Sequence, residues 1–150
     1  VPAAGAAYPG CDYSGPYAHA LQAKMSIQFN VVSALLSGSL SEANFDTLDD
    51  ARMQRLLALT QLVVDEEMTQ AYPGQQGGEV AVTLADGSLH AKRLSNVVNA
   101  SAEEVRQRFN VAVQAVAGDS VAAAIKALIE QLDSSADAGL LAASLSLKKA

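Results

Sequence analysis

Lys24, Ser26, Gln28 and Asn30 crowd the first two turns of the apolar stretch 22–36, QAKMSIQFNVVSALL, directly after a run rich in Pro, Gly and Tyr. A helix beginning here presents unpaired backbone N–H groups and the positive end of its dipole, and Lys24 adds a full positive charge beside them. That chemistry suits a carboxylate. A capped helix start with an exposed lysine is also an ordinary feature of a core helix, so the junction reads either as an anion subsite or as the solvated end of a structural element.

Other reactive residue types form no working pattern. Cys11 has no basic neighbour in sequence to lower its pKa, as a nucleophilic thiolate requires. The adjacent pairs Asp49/Asp50 and Glu66/Glu67 point apart on any helix or strand and read as solvated faces rather than as an acid and a base. His90, alone on a predicted strand, reads as polar surface. Gly74, Gly77 and Gly78 follow no strand and open no helix, so they make no phosphate loop, and neither metal-ligand spacing nor a nucleophile elbow is present.

The elements that must position the junction follow from periodicity. Met25, Phe29, Val32 and Leu36 fall on one helical face, Val31 and Leu35 widen it, and Gly38 ends it. Residues 1–20 hold three of the four prolines and three of the ten glycines, with Tyr8, Tyr13 and Tyr17 among them. They predict a loop held by its tyrosines or a connector whose partner surface lies outside the chain. A second helix is expected over about 48–59, capped by Asp46 or Thr47, then a strand over about 61–65 stopping at Glu66 and Glu67, then a loop over 68–78. Val80, Val82 and Leu84 alternate into a hairpin turning at Asp86 and Gly87 and returning through Leu89, Ala91 and Arg93. Ser101 and Glu104 form a capping box for a helix ending at Gly118. Asp119 or Ser120 caps the next, built on Val121, Ile125, Leu128, Ile129 and Leu132, and Leu140, Leu141 and Leu145 suggest a short last helix. The fold class predicted is α+β: a small antiparallel sheet with a β-hairpin against several helices.

Composition narrows the function classes. The 150 residues allow one domain over 21–150 plus tails, and with 5% aromatic residues and no Trp the core must be Ala, Val and Leu. A net charge of -6 offers no footprint for nucleic acid or an anionic membrane. The single cysteine fits a reducing compartment, so a cytoplasmic location is expected. No apolar run reaches the roughly 18 residues of a membrane span, and the Ala-rich start lacks a basic n-region. The chain opens at Val1 without Met, which reads as a fragment or processed product; simple Met removal or a numbering choice gives the same appearance.

The run LQAKMSIQFNVVSALLSG resembles the segment that opens the smaller C-terminal domain in the MmgE/PrpD family, where members show a run like AKFSIQYxVAxALLxG. The likeness continues through FDTLDDARMQRLLALTQLVVDEE, through VAVTLADGSLHAKRL, similar to a V-x-V-x-L-x-DG hairpin, and through SAEEVRQRF, covering nearly all of residues 10–147. The family includes 2-methylcitrate dehydratase, cis-aconitate decarboxylase and iminodisuccinate epimerase.

The resemblance implies a two-domain lyase or isomerase of small di- or tricarboxylic acids, working without an obligatory cofactor and commonly as a dimer. It also implies that a larger helical domain, absent here, supplies most acid–base residues. No catalytic residue is carried over to this chain. Lys24, Ser26, Gln28 and Phe29 are the substrate-binding candidates. Phe29 matches a family tyrosine that resembles a substrate-pocket residue, and without its hydroxyl a hydrogen-bonding or proton-transfer role there loses its support. Met25 stands where some relatives have His. The YPGC of residues 8–11 is similar to a Lys-x-Tyr-Pro segment carrying a catalytic lysine, but it lacks that lysine and lies too close to the opening helix. Helices over 119–150 would pack on the missing domain, and the chain alone is expected to be inactive. The competing class is a non-catalytic structural or protein-interaction module that self-associates.

Overall fold

Ser26 ends one helix and starts the next. The stretch predicted as a single helix is two, α2 (Ala20–Met25) and α3 (Ile27–Ser37), because Ser26 leaves helical geometry at φ -69° and ψ 121°. Both new ends are satisfied. Ser26 Oγ accepts from the Phe29 N–H at 3.0 Å, and the Asn30 amide donates to the carbonyls of Lys24 at 3.0 Å and Ser26 at 2.7 Å. Helix α3 stops at Gly38 as expected, in the left-handed conformation.

The computed structural model describes residues 1–145, so Lys148 and Lys149 at the end of the expected C-terminal helical segment lie outside the described residues. Two compact units divide the chain, Val1–Val97 and Val98–Ala150. The first has its core where the predicted apolar face falls: Ala23, Phe29 and Val32 pack with Met53 and Leu57 of α4 (Ala51–Leu57), and Tyr17, Leu36, Phe45, Leu48 and Leu56 close over them. Helix α4 is shorter than predicted. Asp50 caps it, taking the N–H groups of Arg52 and Met53, while Asp46 ends a single 3-10 turn at Glu42–Phe45.

The N-terminal run is not loop throughout. Ala-rich sequence after Pro2 forms α1 (Ala3–Ala7), in keeping with the high helix propensity of alanine, and the Ala3 N–H donates to Thr69 Oγ1 at 2.9 Å. The strand predicted over 61–65 is absent as a ladder strand. Asp65 instead caps α5 (Glu66–Ala71), accepting from the Met68 N–H at 2.8 Å. The acidic pair read as a strand stop is therefore the first turn of a helix, where the dipole favours carboxylates. Part of the predicted 68–78 loop belongs to that helix.

The hairpin stands as predicted, β1 (Gly78–Thr83) antiparallel to β2 (Leu89–Leu94), with Val80 opposite Lys92 and Val82 opposite His90. Its turn differs. Leu84 and Ser88 close a three-residue loop in which Gly87 alone takes positive φ, at 84°, while the Asp86 carboxylate accepts from the Ser88 N–H and hydroxyl. Arg93 ties the sheet to α5, reaching Asp65 at 2.8 Å, Glu67 at 2.7 Å and Glu79 of β1 at 3.0 Å.

The second unit is helical: α6 (Ala102–Ala117), α7 (Asp119–Glu130) and α8 (Gly139–Ser144). The Ser101/Glu104 capping box opens α6, and Gly118, rather than Asp119 or Ser120, holds the N-cap position of α7. Ala122 and Ile125 are its buried apolar residues, while Val105, Val111, Val116, Ile129 and Leu140 remain exposed. Helices and one small antiparallel sheet make the chain α+β.

Candidate functional site

The N-terminal loop folds over the α2–α3 junction and uses its aromatic residues to do so. Tyr13 and Tyr17 meet edge to face, Tyr17 meets Phe29 in the same way with centroids 5.0 Å apart, and Phe29 stacks on Phe45. Polar atoms thread the same column. The Tyr17 hydroxyl donates to the Tyr13 carbonyl at 2.9 Å and lies 3.0 Å from Ser26 Oγ, which also donates to the Tyr13 carbonyl. Burial raises the Tyr17 pKa, and the neighbouring Ser26 hydroxyl offsets part of that rise. Tyr17 is therefore a neutral donor across the physiological range.

Each candidate residue now has a definite place. Phe29 and Ser26 are wholly buried at 0% exposure. Ser26 spends its oxygen on the α3 cap and the tyrosine column, and Phe29 is the centre of the core. Gln28 is 4% exposed; its Nε2 donates to Asp12 Oδ1, while its Oε1 is buried without a hydrogen-bond partner. Lys24 is the candidate that faces solvent. It sits in the last turn of α2 rather than at the start of a helix, pairs with Glu42 at 2.6 Å and lies 5.3 Å from the Phe45 ring centroid.

The first donors of α3 are also largely committed. The Ile27 N–H goes to the Cys11 carbonyl at 3.0 Å and the Phe29 N–H to Ser26 Oγ. The junction thus brings Ser26, Gln28 and Phe29 together inside the loop and leaves Lys24 on its rim. Asp12, Tyr13 and Tyr17, which residue types alone did not single out for this site, complete it. The clustering of tyrosines in the preceding loop was the signal for them.

Two cavities are lined by other residues. One, of about 230 Å³, is an apolar groove between α6 and α7 beside Val113, Ile125 and Leu145. The other, of about 80 Å³, is a polar cleft beside Arg93, Glu67 and Gln75. Among the described residues, no group of three or more His, Cys, Asp or Glu side chains could hold a metal ion, and no helix is long and apolar enough to cross a membrane.

The unit Val1–Val97 thus combines a capped break between two helices, sealed by an aromatic loop, with a hairpin that turns at Asp86 and Gly87. The chain belongs to the MmgE/PrpD family: the model of the MmgE/PrpD C-terminal domain matches residues 3–134. Searches of curated proteins and of solved structures gave no match.

Proposed function

We propose that this chain is the C-terminal domain of a two-domain lyase or isomerase acting on small di- or tricarboxylic acids. The reaction is dehydration, decarboxylation or epimerisation beside a carboxylate, with the acid–base residues on a helical partner domain. The observation that carries this reading is the family match over residues 3–134. In this account Lys24 is the contact from this side. Its side chain is 40% exposed and its ammonium is held by one carboxylate, that of Glu42, whose side chain is 84% exposed, so a substrate carboxylate can replace Glu42 with little desolvation cost. Ser26, Gln28 and Phe29 act behind it by fixing the α2–α3 break that presents Lys24.

The enzyme works in the cytoplasm as a dimer, a reading that rests on the lone cysteine and on the family resemblance. Testing Lys24 requires the chain joined to a helical domain of the family. Lys24→Ala should raise KM or lower kcat there, and unchanged kinetics would remove Lys24 from the site.

A second reading has its own observation. The unit Val98–Ala150 exposes Val105, Val111, Val116 and Leu140 beside an apolar groove, which suits a self-associating, non-catalytic module. A stable homo-oligomer inert with every polycarboxylate tested would favour it.

A further inference from the structure

Between α4 and α5 the chain runs over 60–65 without forming a helix or joining the sheet. Its backbone is hydrogen-bonded at its two ends and at one point between. Thr60 donates back to Leu57, the Val1 nitrogen donates to the Val63 carbonyl at 3.0 Å, and the Asp65 N–H donates to the Val1 carbonyl at 2.8 Å. Among the described residues, Gln61, Leu62 and Val64 make no backbone hydrogen bond. Val63 is 66% exposed and Val64 49%, and the sequence TQLVV is rich in strand-forming residues.

One residue bonded to two residues that stand two apart, through its nitrogen to the first and its carbonyl to the second, makes the pattern of a parallel β-bridge. In an extended chain the backbone groups of alternate residues face the same edge. Because Val63 and Asp65 face Val1, the free backbone groups of Gln61 and the free Val63 N–H face that edge too. Those of Leu62 and Val64 face the other.

We propose that this edge accepts one further strand, running parallel to 60–64 and continuing the line of Val1. A polypeptide joined ahead of Val1 would be its occupant. The bond from the Val1 nitrogen to Val63 sets the register: the second residue ahead of Val1 donates to the Gln61 carbonyl and accepts from the Val63 N–H. An open row of backbone groups beside β-branched residues is a template for strand addition, and the chain direction at Val1 selects the parallel arrangement. The inference stands apart from any catalytic role.

The test fuses six alternating threonines and valines ahead of Val1 of the full chain, with a six-residue Gly/Ser extension as the control, and measures amide hydrogen exchange by NMR. The Gln61 and Val63 amides should exchange about tenfold more slowly with the strand-forming extension than with the control, while Leu62 and Val64 keep their rates. Equal rates in the two proteins would overturn the proposal, as would slowing confined to Leu62 and Val64. Slowing that grows with protein concentration would also overturn it, because the added strand would then come from a second copy.

Discussion

The Tyr17 hydroxyl lies 3.0 Å from Ser26 Oγ, and both donate to the Tyr13 carbonyl. This contact joins the N-terminal loop to the α2–α3 break. Ser26→Ala removes a helix cap and a buried partner at once, and should cost about 2–3 kcal/mol in urea unfolding. Tyr17→Phe removes one hydroxyl that is only partly buried and should cost about 1 kcal/mol. The order of the two losses is the check. Equal, negligible effects would mean that the loop is not fastened here.

Gln28 offers a sharper probe of the same junction. At 4% exposure, with Nε2 on Asp12, its replacement by Glu buries a carboxylate beside another carboxylate. Gln28→Glu should destabilise the protein by about 2–4 kcal/mol at pH 7. The new group's folded pKa would be raised, so this loss is present at neutral pH and recovers as pH falls through the carboxylate range. A destabilisation that does not change with pH would point to packing instead.

Asp65 behaves in the opposite sense. Hydrogen bonds from Arg93 first, and from the Met68 N–H second, hold its pKa down at about 2 against the ordinary 3.8. The folded value lies below the unfolded one, so its contribution is complete above about pH 4 and is lost as pH falls towards 2. In an acid titration followed by NMR, hairpin signals of the native protein should weaken across that window. Asp65→Asn should remove this component and leave the hairpin less protected at neutral pH. An unchanged acid profile in the variant would separate Asp65 from the hairpin's stability.

Gly77 tests the base of the hairpin sterically. A Cβ there would meet the Leu94 carbonyl oxygen at 2.6 Å and that of Ser95 at 2.8 Å, whereas one at Gly78 meets nothing within 4 Å. Gly77→Ala should cost about 1–3 kcal/mol and disturb the β2 end, and Gly78→Ala should be close to neutral. Equal effects at the two positions would contradict the close approach.

Patterns fixed by neighbouring residues were legible from the sequence. The Ser101/Glu104 box, the end of α3 at Gly38 and the hairpin over 78–94 depend on local chemistry that few tertiary contacts can override. What the pattern missed depended on distant partners. The break at Ser26 exists because the Cys11 carbonyl takes the Ile27 N–H and the Asn30 amide donates to the carbonyls of Lys24 and Ser26, and no periodicity encodes that. The segment over 61–65 has a strand's composition, but a strand needs a neighbour, and among the described residues its one such partner is Val1. At the candidate site, the residue types of Lys24, Ser26 and Gln28 indicated polarity. Burial then divided them, because Ser26 and Gln28 found loop partners in Tyr13 and Asp12 while Lys24 found Glu42.

The measurement that tests the central claim most directly is turnover of aconitate, methylcitrate and iminodisuccinate by the chain alone and by the chain mixed with a helical domain of the family. The account predicts no turnover by either component alone and turnover of at least one substrate in the mixture. Turnover by the isolated chain, or a stable homo-oligomer inert in every mixture, would contradict it.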